Sequence, residues 1–160
     1  MSSPELSAEP GKSKGAFRPW KLVWVLTAAQ SRARERTASS GPPLTHPQLE
    51  NTYAGKSTQI SSRHHFVCQD GVNAARLLHI ARDKLLKKVM ELGGNAIVAE
   101  EWNYNIKKRG IIAKDEHKVS ITYSGKMVTS SAADPHQPVA LDKAVVEIPG
   151  LMTIKSHEIV

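Results

Sequence analysis

Residues 70–128 read DGVNAARLLHIARDKLLKKVMELGGNAIVAEEWNYNIKKRGIIAKDEHKVSITYSGKMV, and their patterning decides the fold. Ala74, Leu78, Ala81, Leu85, Val89 and Leu92 recur at three- and four-residue intervals with Leu77 beside them. Arg76, His79, Asp83 and Lys87 take the opposite side, which predicts an amphipathic helix with one buried face. Asp70 is placed to cap it by accepting from exposed first-turn amides. Gly93 and Gly94 predict the helix stop, since one of them can take the left-handed conformation that closes a C-terminus.

Beyond the glycines the period falls to two. From Ala96 to Ile106 one side carries Ala96, Val98, Trp102, Tyr104 and Ile106, and the other Ile97, Ala99, Glu101 and Asn103. From His117 to Val128, Val119, Ile121, Tyr123 and Met127 alternate with Lys118, Ser120, Thr122, Ser124 and Lys126. Two such runs joined by the polar stretch KKRGIIAKDE predict an antiparallel hairpin. Upstream, Thr58 to Cys68 predicts a first strand with Ile60, Phe66 and Val67 as its apolar members.

The predicted fold is α+β: a small β-α-β-β domain over residues 57–129, its antiparallel hairpin packed on one amphipathic helix. Residues 1–56 read as a disordered arm and linker, rich in Ser, Pro and Gly, with a short apolar-basic segment at 20–36. Residues 130–160 read as a C-terminal extension. Its AVVEI and MTIKSHEIV segments could form a hairpin about Pro149-Gly150 or lie along the domain.

The same order of elements resembles the YbjQ family, whose members are labelled heavy-metal-binding domains. The residues that carry the resemblance are Leu92, Gly93, Gly94, Asn95, Ala96, Ile97 and Val98, then Val119 to Val128 with Ser124-Gly125 inside it. It spans roughly residues 75–128. The sequence departs from the family pattern at Gly94, where alanine is common, and at Glu100 and Glu101. The resemblance implies a small α/β domain that assembles into cyclic homo-oligomers, commonly pentamers. No Cys/His ligand set transfers at the matching positions.

Composition narrows the function classes. The chain of 160 residues carries a net charge of +7 with only 5% aromatic residues. A nucleic-acid binder more often gathers its charge on one face and adds stacking aromatics. No apolar run reaches the length of a membrane-spanning helix, about 18 residues. The tryptophans of segment 20–36, with Arg32, Arg34 and Arg36, could contact an anionic surface. The single Cys68 fits a reducing compartment, and a cytoplasmic location is expected.

His64, His65 and Cys68 form the best soft-metal cluster, imidazole and thiolate both suiting a transition metal such as zinc or copper. Strand alternation puts His64 and Cys68 on one face and His65 on the other, so neighbouring subunits would have to complete a site. Glu100 and Glu101 project to opposite faces, which leaves them solvated or salt-bridged rather than paired for catalysis. Gly55-Lys56-Ser57 lacks the earlier glycine and the preceding strand of a phosphate loop. No nucleophile with its base is assembled in the sequence, and no enzyme activity is expected. Ile80, Leu86, Met90 and Trp102 exceed what one helix and one small sheet need, which predicts an oligomer interface. The leading expectation is a non-enzymatic, self-assembling domain that could take a metal or small ligand at subunit boundaries. The alternative is a peripheral binding protein that uses its N-terminal arm on a membrane surface or nucleic acid.

Overall fold

A computed structural model describes residues 35–108, 115–145 and 147–160. The described fold is α+β, five antiparallel strands and one long helix. In chain order these are β1 (Glu35–Ser39), β2 (Thr58–Gln69), α1 (Ala74–Glu91), β3 (Ala96–Lys108), β4 (Glu116–Val128) and β5 (Thr153–Ile159). The strands lie in the order β1-β3-β4-β2-β5, so the β3–β4 pair forms antiparallel as expected, with β2 on its far side. The three expected strands are the middle of this sheet, and two further strands flank them.

Both segments read as tails add edge strands. β1 pairs with β3, and β5 runs along β2 rather than folding into a hairpin about Pro149-Gly150. The stretch read as a linker at 37–56 is also built in, with Ser40 and Leu49 fully buried. Leu49 packs with Ala96, Val98 and Val128 in a second, smaller apolar cluster. Polar, Pro-rich composition concealed this because two anchoring residues give no periodicity. The expected arm at 1–34, with Arg32, Arg34 and nearly all of segment 20–36, lies outside the described residues, as do connection residues 109–114. Among the described residues, no helix is long and apolar enough to cross a membrane.

The core lies between α1 and one sheet face. Leu77, Leu78, Ala81, Leu85 and Val89 of the helix meet Phe66, Cys68, Trp102, Tyr104, Ile106, Val119, Ile121 and Tyr123. Leu92 leaves this stripe, 58% exposed, because the helix has ended before it. The N-cap is Asn73, whose Oδ1 accepts from the Arg76 amide at 2.8 Å. Asp70 instead sits in a left-handed turn, φ 69°, three residues too early to cap.

The two stop glycines do different work. Gly93 has φ 89°, and a Cβ there would meet nothing within 4 Å. Its amide donates to Met90 O and that of Gly94 to Val89 O, at 3.1 and 3.0 Å, the paired bonds of a Schellman cap. At Gly94 a Cβ would come within 2.5 Å of Met127 Cγ and 2.8 Å of Val89 Cγ1. One glycine turns the chain, and the other lets helix and sheet touch. Asn95 then clasps the Ser130 backbone, donating to its carbonyl at 2.8 Å and accepting from its amide at 2.7 Å.

Strand β3 changes face partway. A bulge between Val98 and Glu101, with Ala99 at φ 48°, inserts an extra residue against β4. Ile97 therefore shares the helix-side core with Trp102, Tyr104 and Ile106, while Ala96 and Val98, expected on the face of those three, join the smaller cluster. Gly125 permits the approach, since a Cβ there would lie 2.6 Å from Ile97 Cγ2. The phase slip turns Glu100 inward toward α1.

Candidate functional site

Two polar clusters are buried beside α1, and their geometry separates structure from function. In the first, Arg82 donates from Nε and Nη2 to the two Glu100 oxygens, both at 2.8 Å. It donates again from Nη1 and Nη2 to Asp134, at 2.7 and 3.0 Å. Tyr123 donates its hydroxyl to Glu100 at 2.5 Å, and Asp134 accepts from the amides of Ile97 and His136. Burial alone would lower the Arg82 pKa, but Glu100 and Asp134 hold it above its ordinary value. Burial opposes ionisation of Asp134 too, yet Arg82 and two amides hold its carboxyl low. Burial, then the Glu100 charge, pushes the Tyr123 phenol up. Arg82 and Glu100 are fully buried, so no ligand reaches this closed ion cluster. Of the two expected states of Glu100, solvated or salt-bridged, the second is found, and its partner is the one arginine on the apolar side of α1.

The second cluster opens to solvent. On β2, Ser62 and His64 share a face, and Ser62 Oγ lies 2.9 Å from His64 Nε2. The other ring nitrogen of His64, Nδ1, lies 2.9 Å from Nε2 of His157 on β5. A register slip between Val67 and Cys68 phases β5 so that His157 stacks on Phe66, ring centroids 4.2 Å apart and 11° from parallel. His64 itself is fully buried. Burial first, then the charges of His157, Lys84 and His65, lower its pKa to about 4, so the ring is neutral at pH 7. Burial and Lys84 lower His157 as well. Two neutral imidazoles share one proton between them, and a serine completes the chain.

This chain forms one wall of a groove of about 450 Å³ between α1 and the β2–β5 edge. Lys84, Lys87 and Lys88 line the helix side with Glu91, and Ser61, Ser62 and Ile159 the strand side. The lysines stand at i, i+3 and i+4, one face of the helix, and none makes an ion pair with a described residue. Like charges at that spacing destabilise a helix by about 0.2–0.5 kcal/mol per pair. The groove therefore has a cationic rim, hydroxyl donors and a neutral imidazole floor.

The sequence-nominated metal residues do not converge. His65 points to the opposite sheet face, its Nδ1 3.0 Å from Ser120 Oγ. Cys68 lies in the apolar core with burial pushing its thiol up to about 11. Among the described residues, no group of three or more His, Cys, Asp or Glu is disposed to hold a metal ion. Of the residues nominated for an interface, Leu86 and Trp102 are buried within the chain itself, and Trp102 donates Nε1–H to Val139 O at 2.7 Å. Ile80 packs partly against the core, and Met90 stays 61% exposed. Arg36 lies on β1 and donates to Glu147 O at 3.2 Å. Sequence reading missed His157 and Ser62; the alternation of TIKSHEI in a segment taken for a tail was the available signal. The chain matches no protein-family model, and no curated protein or solved structure matches it.

Proposed function

We propose that the domain is a binding module for a small multivalent anion, such as a phosphate ester or polycarboxylate, held in the groove between α1 and β5. The observation that carries this reading is the triad Lys84, Lys87 and Lys88, without an ion pair among the described residues, facing Ser62 and His64 across about 450 Å³. An anion there relieves the mutual repulsion of the lysines, and the Ser62 hydroxyl, held from behind by the neutral His64 ring, supplies an uncharged hydrogen bond that fixes its orientation. The test is isothermal titration of the full chain with pyrophosphate and with citrate at two salt concentrations. Saturable binding that weakens with salt and falls at least tenfold in Lys84→Gln/Lys88→Gln is the expected result. Equal affinity in wild type and double variant would sink the reading.

Self-assembly is a second reading, favoured by a specific pair of residues. Met90 and Leu92, 61% and 58% exposed, leave an apolar patch at the end of α1. Light scattering on the full chain should then give a mass above that of one chain, lost in Met90→Lys/Leu92→Lys. A monomeric wild type refutes it. The lone buried thiol suits a reducing compartment, and we place the protein in the cytoplasm.

A further inference from the structure

At the opposite end of β2 from the lysine groove lies a second cavity, of about 300 Å³. Ile106, Ile148 and Pro149 give it apolar walls, and Arg36, Lys108, Asp70 and Asp115 give it a rim of both charges. The backbone fixes that rim. The Asp70 amide donates to Asp115 O at 2.9 Å, and Val72 and Ile148 exchange bonds of 3.0 Å in each direction. Gly71 and Gly150 are in backbone contact beside Asp70, where a Cβ on Gly71 would lie 2.6 Å from Gly150 O.

His117 also lines this cavity, and it is the anomaly. The residue is only 6% exposed, yet its Nδ1 has no hydrogen-bond partner among the described residues. Buried ring nitrogens are nearly always satisfied, because leaving one bare costs stability. Burial first, then Lys108, lowers the His117 pKa against an opposing pull from Asp115, and Arg36 adds to the lowering. The ring is neutral and has one hydrogen bond to give or to accept. The charges around it are unequally used. Lys108 Nζ stands 3.8 Å from Asp115 in an exposed ion pair. Arg36 spends one nitrogen on a carbonyl, and the Asp70 carboxylate has no partner among the described residues.

We propose that this cavity binds a small zwitterion of the α-amino-acid class, its carboxylate on Arg36, its ammonium on Asp70 and His117 Nδ1 as the third polar contact. The apolar walls take the side chain, and the volume stands at the lower end of small-molecule sites, about 300–1,000 Å³. Among the described residues Arg36 and Asp70 form no ion pair, and such a cation and carboxylate on one rim match a ligand carrying both charges better than either ion alone.

The test is ¹⁵N NMR of the histidine rings in the full chain during titration with L-leucine, with sodium acetate and methylammonium chloride as single-charge probes. L-Leucine should move the His117 Nδ1 resonance saturably, while the other two leave it in place at equal concentration. Arg36→Gln and Asp70→Asn, both at exposed positions, should each weaken the response at least tenfold, and Lys84→Gln/Lys88→Gln should not change it. A matching shift with acetate or methylammonium alone overturns the proposal. So does no shift with any probe, which would mean that water alone satisfies His117.

Discussion

The Arg82 cluster and the His64 chain flank the same helix, and both bury polar atoms, but they solve that problem in opposite ways. Arg82, Glu100, Asp134 and Tyr123 balance charge against charge, and every nitrogen of the guanidinium has a carboxylate partner. The His64 chain carries no charge at neutral pH and ends on a serine at an open groove. The first arrangement holds α1, the β3 bulge and the segment after β4 in one geometry. The second leaves the Ser62 hydroxyl at its open end within reach of a ligand. Completeness of hydrogen bonding, more than burial, separates scaffold from site.

The comparison predicts its largest effect at Arg82. Arg82→Met strands two carboxylates in the interior and should cost about 3–5 kcal/mol, the usual loss when one partner of a buried pair is removed. Urea denaturation measures this, and adding Glu100→Leu should recover part of it, since an uncompensated charge goes with it. Strictly additive losses would show that the two residues are not coupled. Next in size is the acid response of the His64 chain. Its folded pKa of about 4 lies below the ordinary 6.5, so the unfolded chain binds more protons between those values. That stability is fully present above pH 6.5 and drains away as pH falls toward 4, roughly 3 kcal/mol in all. His157 and His117 are shifted the same way, so the His64 share is read by comparing stability against pH in wild type and His64→Gln. The Asp134 contribution is lost only below its ordinary 3.8 and leaves this window clear.

Smaller changes sharpen the contrast. Tyr123→Phe removes one bond to a buried carboxylate and should lower stability by about 2 kcal/mol in the same denaturation measurement. Ser62→Ala removes a bond at the open end, where water can replace it, and should cost less than about 1 kcal/mol while weakening anion binding. If Ser62→Ala were as destabilising as Tyr123→Phe, the His64 chain would belong to the scaffold after all.

Periodic features were legible in the sequence because burial on one face leaves a period. The buried face of α1, the β3–β4 pairing and the Gly93-Gly94 stop all follow from spacing alone. What stayed hidden depends on single residues or distant partners. Asn73 rather than Asp70 caps the helix, and either type at either place satisfies the sequence rule. The bulge at Ala99 has no glycine to announce it, so the departure of Ala96 and Val98 from the face of Trp102 could not be read, and neither could the pairing of Glu100 with Arg82. Trp102 looked surplus because its cover, Val139 and its neighbours, comes from a segment without pattern. His157 sits in a short edge strand, and its link to His64 spans 93 residues of sequence.

Cys68 gives the molecule a built-in clock. Its thiol is fully buried and burial raises its pKa to about 11, so at neutral pH almost no reactive thiolate exists in the folded state. It is also the chain's only cysteine, so a chromogenic disulfide reagent has one target. Reaction must wait until β2 separates from its neighbours, and its rate then reports how often the sheet's interior opens. Ligands that tighten the folded state should slow that colour change in proportion to their occupancy, giving a readout of binding that needs no label and no altered residue.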